Sequence, residues 1–191
     1  MNAPDRFRFQ GGVLELEASH RRSGPVVFLD RDGTLIHDPG YLRDPEQVRL
    51  LPGVAEALVR FSAAGYGLVV ISNQSGVGRG LITIEELKVV HLRLEVLLAA
   101  EGLSLHGAWY CTHRPEEGCD CRKPRPGLLL RAGQGLGLLL GDCWMIGDRP
   151  SDADAGRSAG CRALCLDAKT PDLLSAADLV LAEPRGADER R

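Results

Sequence analysis

Along most of the chain, short unbroken apolar runs alternate with stretches of helical spacing. Residues 26–29, 68–71, 108–110, 144–146 and 163–166 are too short for helices. They also lack the alternation of a half-exposed strand, so each predicts a strand buried on both faces. Between them, residues 54–64, 83–101, 126–136 and 151–159 space their apolar side chains as helices do. Thr83 followed by Glu86 predicts a capping box at the start of the longest one. Residues 172–176 and 179–181 predict a final turn and a final strand. Strands alternating with helices imply an α/β domain, a three-layer Rossmann-like fold with helices on both faces of a parallel sheet. The first residues differ. Segments 6–9 and 13–17 alternate polar and apolar positions, predicting one or two edge strands, while residues 19–24 and the stretch from Glu183 are polar and expected to be loose. The division expected is therefore an extension over 1–24, one domain over 25–182 and a tail over 183–191.

Composition narrows the classes. The chain has 191 residues, 44% apolar, 26% charged and 5% aromatic, with a formal net charge of -3. That length suits one domain and is enough to bury a core without disulfides. A slightly acidic surface does not attract a phosphate backbone, so no nucleic-acid partner is expected. No apolar run reaches the roughly 18 residues of a membrane span, so no membrane partner is expected either. The N-terminal stretch carries scattered arginines and no apolar core of signal-peptide length, which predicts a cytoplasmic protein. The expected ligand is then a small molecule, bound by a monomer.

In parallel sheets ligands bind outside the carboxyl ends of the strands. Asp30, Ser72, Cys111 and Asp148 fall at those ends. Asp30 and Asp32 stand two residues apart after a buried strand, with Gly33 and Thr34 supplying a sharp turn. Paired acids there are costly unless a cation or a reaction needs them. Ser72-Asn73-Gln74-Ser75-Gly76 offers a hydroxyl and amides, Arg122-Lys123-Pro124 two cations on a rigid turn, and Asp148 and Asp152 two further acids.

Six cysteines are present, three of them between positions 111 and 121. In a reducing compartment such a cluster argues for a metal. Cys111, His113, Cys119 and Cys121 supply the four soft ligands of a tetrahedral structural zinc site, which leaves no open position for catalysis. Cys121 directly precedes Arg122 and Lys123, so anchoring it would anchor them. Cys143, Cys161 and Cys165 lie in or near apolar strands and read as core.

The order of these motifs, each after its own strand, resembles the haloacid dehalogenase superfamily of phosphohydrolases over residues 26–166. The resemblance implies that Asp30 attacks phosphorus and forms an aspartyl-phosphate, and that Asp32 serves as general acid and then base. It implies a magnesium ion held by Asp30, the main-chain carbonyl of Asp32, and Asp148. Ser72 and Lys123 would stabilise the phosphoryl oxygens, with Asp152 orienting Lys123 or a metal-bound water. The Cys-x-His and Cys-x-Cys pairs before Arg-Lys-Pro resemble two groups, the heptose bisphosphate and the histidinol-phosphate phosphatases. Ser75 and the Pro124-Arg125-Pro126-Gly127 run lean towards the first. That resemblance implies substrate contacts from Arg31, Asp38, Pro39, Gly40, Tyr41, Asn73, Gln74, Ser75, Arg122 and Arg149; Pro39 and Arg149 replace a histidine and a lysine common in the group. The implied activity removes the C7 phosphate of a D-glycero-D-manno-heptose 1,7-bisphosphate, in the synthesis of nucleotide-activated heptose. The alternative is histidinol-phosphate hydrolysis; more remote are a nucleic-acid 3′-phosphatase and a zinc-loop binding module without catalysis. The short stretch from Thr34 to Pro52 leaves no space for a cap domain, so an open site is expected.

Overall fold

The computed structural model describes residues 6–16 and 24–183. The loose segments expected around 19–23 and 184–191 lie outside the described residues. In chain order the elements are β1 (Phe7–Gln10), β2 (Val13–Leu16), β3 (Val26–Leu29), α1 (Val54–Ala63), β4 (Gly67–Asn73), α2 (Ser75–Gly78), α3 (Ile84–Ala100), β5 (Gly107–Cys111), α4 (Gly127–Leu136), β6 (Trp144–Gly147), α5 (Pro150–Ser158), β7 (Arg162–Cys165) and α6 (Leu173–Ala182). The seven strands form one sheet in the order β1-β2-β5-β4-β3-β6-β7. From β5 to β7 every pairing is parallel. The helical crossovers between these strands impose that direction. At the other edge the β1–β2 hairpin adds two antiparallel strands, with β2 paired to β5.

The two faces of each central strand are covered separately. Val27 and Leu29 face a core shared with Phe61 of α1, Leu94 of α3 and Val180 of α6. Val26 and Phe28 face a second core with Leu129 of α4 and Ala155 of α5. That double burial is why β3 reads as four apolar residues without a polar interruption. Helix α3 starts as its sequence indicates: Thr83 accepts from the Glu86 amide at 3.1 Å and donates its own amide to the Glu86 carboxylate at 2.7 Å.

The short helix α2 was not predicted, and the last element differs from expectation. Residues 173–182 form a single helix, α6, where a turn and a strand were predicted. Asp172 caps it, accepting from the Ser175 amide at 2.7 Å. Leu173, Ala176, Ala177 and Val180 make the buried stripe. The 179–181 run is apolar all round, and a short run of that kind carries no helical phase by itself. No helix among the described residues is long and apolar enough to cross a membrane. Nor does any described segment between Thr34 and Pro52 form a second folded unit.

Phe61 is fully buried in the first core. Phe61→Ala should lower unfolding free energy by about 3–5 kcal/mol in urea titrations. Val96→Ala, at a position 57% exposed on α3, should stay within about 0.5 kcal/mol of the parent.

Candidate active site

The carboxyl ends of β3, β4 and β6 meet at one point. Asp30 leaves β3 with its amide bonded to the Ile146 carbonyl of β6 at 3.0 Å. Gly33 turns the following loop with φ at 79°, and a Cβ there would stand 2.5 Å from the Asp148 carboxylate. The glycine therefore serves both the turn and the close approach of the two acidic loops. Asp152, on the first turn of α5, accepts from the Arg149 amide at 2.9 Å. Between these acids lies the Lys123 ammonium. It reaches Asp30 at 2.6 Å, Asp152 at 2.7 Å and the Ile71 carbonyl of β4 at 2.8 Å. All three ammonium donors are thereby used. Asn73 grips the Lys123 backbone from both sides, donating to its carbonyl and accepting from its amide at 3.1 Å each.

Asp30, Asp148 and Asp152 bring carboxylate oxygens within 4.8 Å of one another. Lys123, together with Arg149 at 3.8 Å from Asp148, does not neutralise three acids. Burial pushes the Asp30 carboxyl up to about 6, with Lys123 opposing and Asp152 and Asp32 adding to the rise. Burial also raises Asp148, whose Oδ1 is buried without a hydrogen-bond partner among the described residues. Burial lowers a lysine, but Asp30 and Asp152 more than offset this at Lys123 and keep it charged. Hard oxygen donors in excess over their cations, one of them unpartnered, fit a divalent ion such as magnesium. The Asp32 carboxylate is not part of this set.

A cleft of about 310 Å³ opens above these groups. Its walls carry Asp30, Asp32, Ser72, Asn73, Gln74, Ser75, Arg122, Lys123 and Arg149, with Asp38, Gly40 and Tyr41 from the loop after β3. Arg149 reaches across to Asp38 at 3.4 Å. Leu42, Gly76 and Ser151 also line it; Gly76 closes the Ser72–Gly76 stretch, whereas nothing in the local sequence marks Leu42.

Two of the residues expected to contact substrate do not line the cleft. Arg31 is fully buried and does not face the cleft. Its fork instead holds Asp32, Nε to Oδ1 at 3.0 Å and Nη2 to Oδ2 at 2.9 Å. Alternation along the chain explains this: with Asp30 and Asp32 facing the cleft, the residue between them points into the protein. Pro39 is exposed in its loop and does not line the cleft. Gln74 supports Asp32 from the other side at 2.6 Å and also bonds Ser72 Oγ at 3.1 Å. Behind Arg31, 5.7 Å from its guanidinium carbon, lies the Tyr110 ring, whose hydroxyl meets His91 Nδ1 at 2.6 Å. Burial pulls the His91 pKa down and pushes the Tyr110 phenol up, so both stay neutral near pH 7. His91 and Tyr110 sit at core positions of α3 and β5, and only their polar character hints at this column.

The cysteine segment folds as its spacing suggests. The sulfurs of Cys111, Cys119 and Cys121 lie 3.3–3.6 Å apart, and His113 Nδ1 lies 3.2 Å from Cys121 and 3.6 Å from Cys111. Zinc–sulfur bonds of about 2.3 Å in a tetrahedron put sulfurs about 3.8 Å apart, so the set fits zinc. Burial raises the Cys111 and Cys121 thiols, and a bound cation would reverse that preference. Cys143 and Cys161 pack in the second core.

A family model described as HAD-hydrolase-like matches residues 120–176. The chain is 36% identical over 171 residues to the D-glycero-beta-D-manno-heptose-1,7-bisphosphate 7-phosphatase of Escherichia coli (strain K12), covering 84% of this chain and 90% of that protein. The protein of the same name from Photorhabdus laumondii is 39% identical over 142 residues, 71% of this chain and 76% of that one. Among solved structures, the D,D-heptose 1,7-bisphosphate phosphatase from B. bronchiseptica, complexed with magnesium and phosphate, matches with a TM-score of 0.77 at 28% identity, over 84% of this chain and 99% of that chain. A protein from Mesorhizobium loti described as a HAD-like phosphatase matches with a TM-score of 0.76 at 30% identity, over 95% of this chain and 98% of the other.

The raised Asp30 carboxyl has a consequence for stability. A carboxyl at about 6 in the fold and near 3.8 unfolded disfavours the ionised fold. Metal-free protein should therefore lose stability as pH rises from about 4 through 6. In EDTA at pH 7.5, Asp30→Asn should be more stable than the parent by about 1–3 kcal/mol, and the difference should vanish near pH 4. Denaturant melts at the two pH values read this directly.

Proposed function

The chain belongs to the haloacid dehalogenase-like hydrolases, in the family of the D-glycero-beta-D-manno-heptose-1,7-bisphosphate 7-phosphatases, and on that footing we propose that it removes the C7 phosphate of a D-glycero-D-manno-heptose 1,7-bisphosphate. The observation that carries the reading is Asp30, held by Lys123 at the floor of an open cleft rimmed by Arg122 and Arg149. A substrate with two phosphates suits that charge pattern: one seats on the floor, and the arginines are placed to meet the remainder.

In this reading the Asp30 carboxylate attacks phosphorus and the sugar alkoxide leaves with a proton from Asp32. Asp32 then takes a proton from the water that attacks the aspartyl-phosphate, and phosphate departs. Lys123 and Ser72 stabilise the non-bridging oxygens as charge spreads over them. Asp152 and Asn73 keep Lys123 aimed, and Arg31 and Gln74 keep Asp32 aimed. Asp30, Asp148 and the Asp32 carbonyl would hold magnesium, which when bound offsets the repulsion between carboxylate and phosphate. Cys111, His113, Cys119 and Cys121 would hold zinc in a closed site that anchors the Arg122–Lys123 loop. The protein would work as a cytoplasmic monomer.

With magnesium present, kcat/KM should favour the heptose bisphosphate over histidinol phosphate by at least about tenfold, a margin of about 1.4 kcal/mol; the reverse preference overturns the substrate assignment. Asp30→Asn should lower kcat by at least about 10³-fold while circular dichroism stays unchanged, since no second nucleophile replaces the carboxylate. Stripping zinc with a chelator should loosen the loop, read as faster amide exchange at Arg122 and Lys123, with a parallel fall in kcat/KM.

A further inference from the structure

The N-terminal hairpin has no role in the proposed chemistry, yet its turn touches the cysteine cluster. Strand β2 pairs with β5 so that Val13 lies opposite Cys111. This puts the turn residue Gly12 beside the chain as it leaves β5 for the cluster. The Gly12 carbonyl accepts from the Thr112 amide at 2.9 Å and from its hydroxyl at 2.8 Å. The next residue is His113, whose imidazole presents Nδ1 to the sulfurs of Cys121 and Cys111. The opposite edge of that ring rests against Gly12. A Cβ on Gly12 would stand 2.3 Å from His113 Nε2 and 2.4 Å from Cε1. No side chain fits there unless the imidazole moves, and moving it withdraws Nδ1 from the thiols.

We propose that the hairpin is a positioning element for the metal site, in which Gly12 backs His113 and clamps Thr112 so that the imidazole is held on the three sulfurs. The proposal rests on the reading of the cluster as a zinc site. It gives a stretch outside the catalytic motifs a stated task. All four ligands arise from β5 and the loop after it; one of them, His113, is also pressed into place from outside by a strand pair added to the sheet edge. Through Cys121 the same clamp bears on Arg122 and Lys123. Contacts that orient a ligand from behind typically change metal affinity by about 10–100-fold when lost.

The neighbouring glycine supplies an internal control. Gly11 has φ at 57° and Gly12 at 68°, so an alanine strains the backbone at both. A Cβ on Gly11 meets nothing within 4 Å, whereas one on Gly12 meets the imidazole. The experiment uses full-length protein loaded with zinc, its content measured per chain, and follows zinc release to a colorimetric chelator. Gly12→Ala should release zinc at least about tenfold faster than the parent, and Gly11→Ala within about twofold of it. Thr112→Val, which removes one hydrogen bond without a clash, should accelerate release several-fold and covers the case in which Gly12→Ala does not fold. Cobalt-loaded Gly12→Ala should also show altered ligand-field bands, because the nitrogen ligand is displaced. Parent protein that takes up no zinc overturns the zinc reading, and this inference with it. Zinc-loaded parent with Gly12→Ala and Thr112→Val releasing at the parent rate overturns the hairpin's role alone, as does Gly11→Ala releasing as fast as Gly12→Ala.

Discussion

A single buried ammonium organises this molecule. Taking Lys123 out of water is costly, and the cost is offset only where every one of its donors finds a partner. Those partners come from three separate elements: Asp30 at the end of β3, the Ile71 carbonyl in β4 and Asp152 at the start of α5. Lys123 itself arrives on the loop that follows the cysteine cluster. Displacing any of these segments strands a buried charge, and the grip of Asn73 on the Lys123 backbone holds the ammonium among them. The same arrangement leaves more carboxylate than ammonium, and burial raises Asp30 and Asp148, so the oxygen set suits a divalent cation.

Two centres of opposite chemical character lie close along the chain. The cleft floor offers hard oxygens to a hard cation; the cluster of Cys111, His113, Cys119 and Cys121 offers soft sulfur and nitrogen. Only Arg122 separates Cys121 from Lys123, so rigidity in the second centre passes directly into the first. The hairpin extends that support outward, because Gly12 bears on Thr112 and His113. Support for the reacting groups thus runs from the sheet edge to the cleft through contiguous contacts.

Asp32 is supported by different means. Arg31 forks onto both of its oxygens, and Gln74 bonds one of them as well as Ser72. Behind Arg31, Tyr110 and His91 fill the space with neutral polar groups. A charged guanidinium with no exposure is tolerable here because a carboxylate and an aromatic face receive it. The residue between the two aspartates therefore acts inward, on its neighbour, while Arg122 and Arg149 line the cleft.

Much of the architecture could be read from the chain alone. Unbroken apolar runs such as 26–29 announce strands covered on both faces, and the polar residue ending each run marks the carboxyl edge where Asp30, Ser72 and Asp148 stand. The convergence of Cys111, His113, Cys119 and Cys121 was legible too, since donors so near along the chain can gather at one point. Such features depend on local spacing, which sequence records directly. Other features depend on which distant segment comes near, and that is settled by packing. The phase of α6 appears only against α1, because its apolar run reads the same in either conformation. The inward turn of Arg31 is set by side-chain direction, and the contact of Gly12 with His113 joins residues far apart in the chain. Only the assembled sheet, with each charge seeking a partner in a dry interior, decides them.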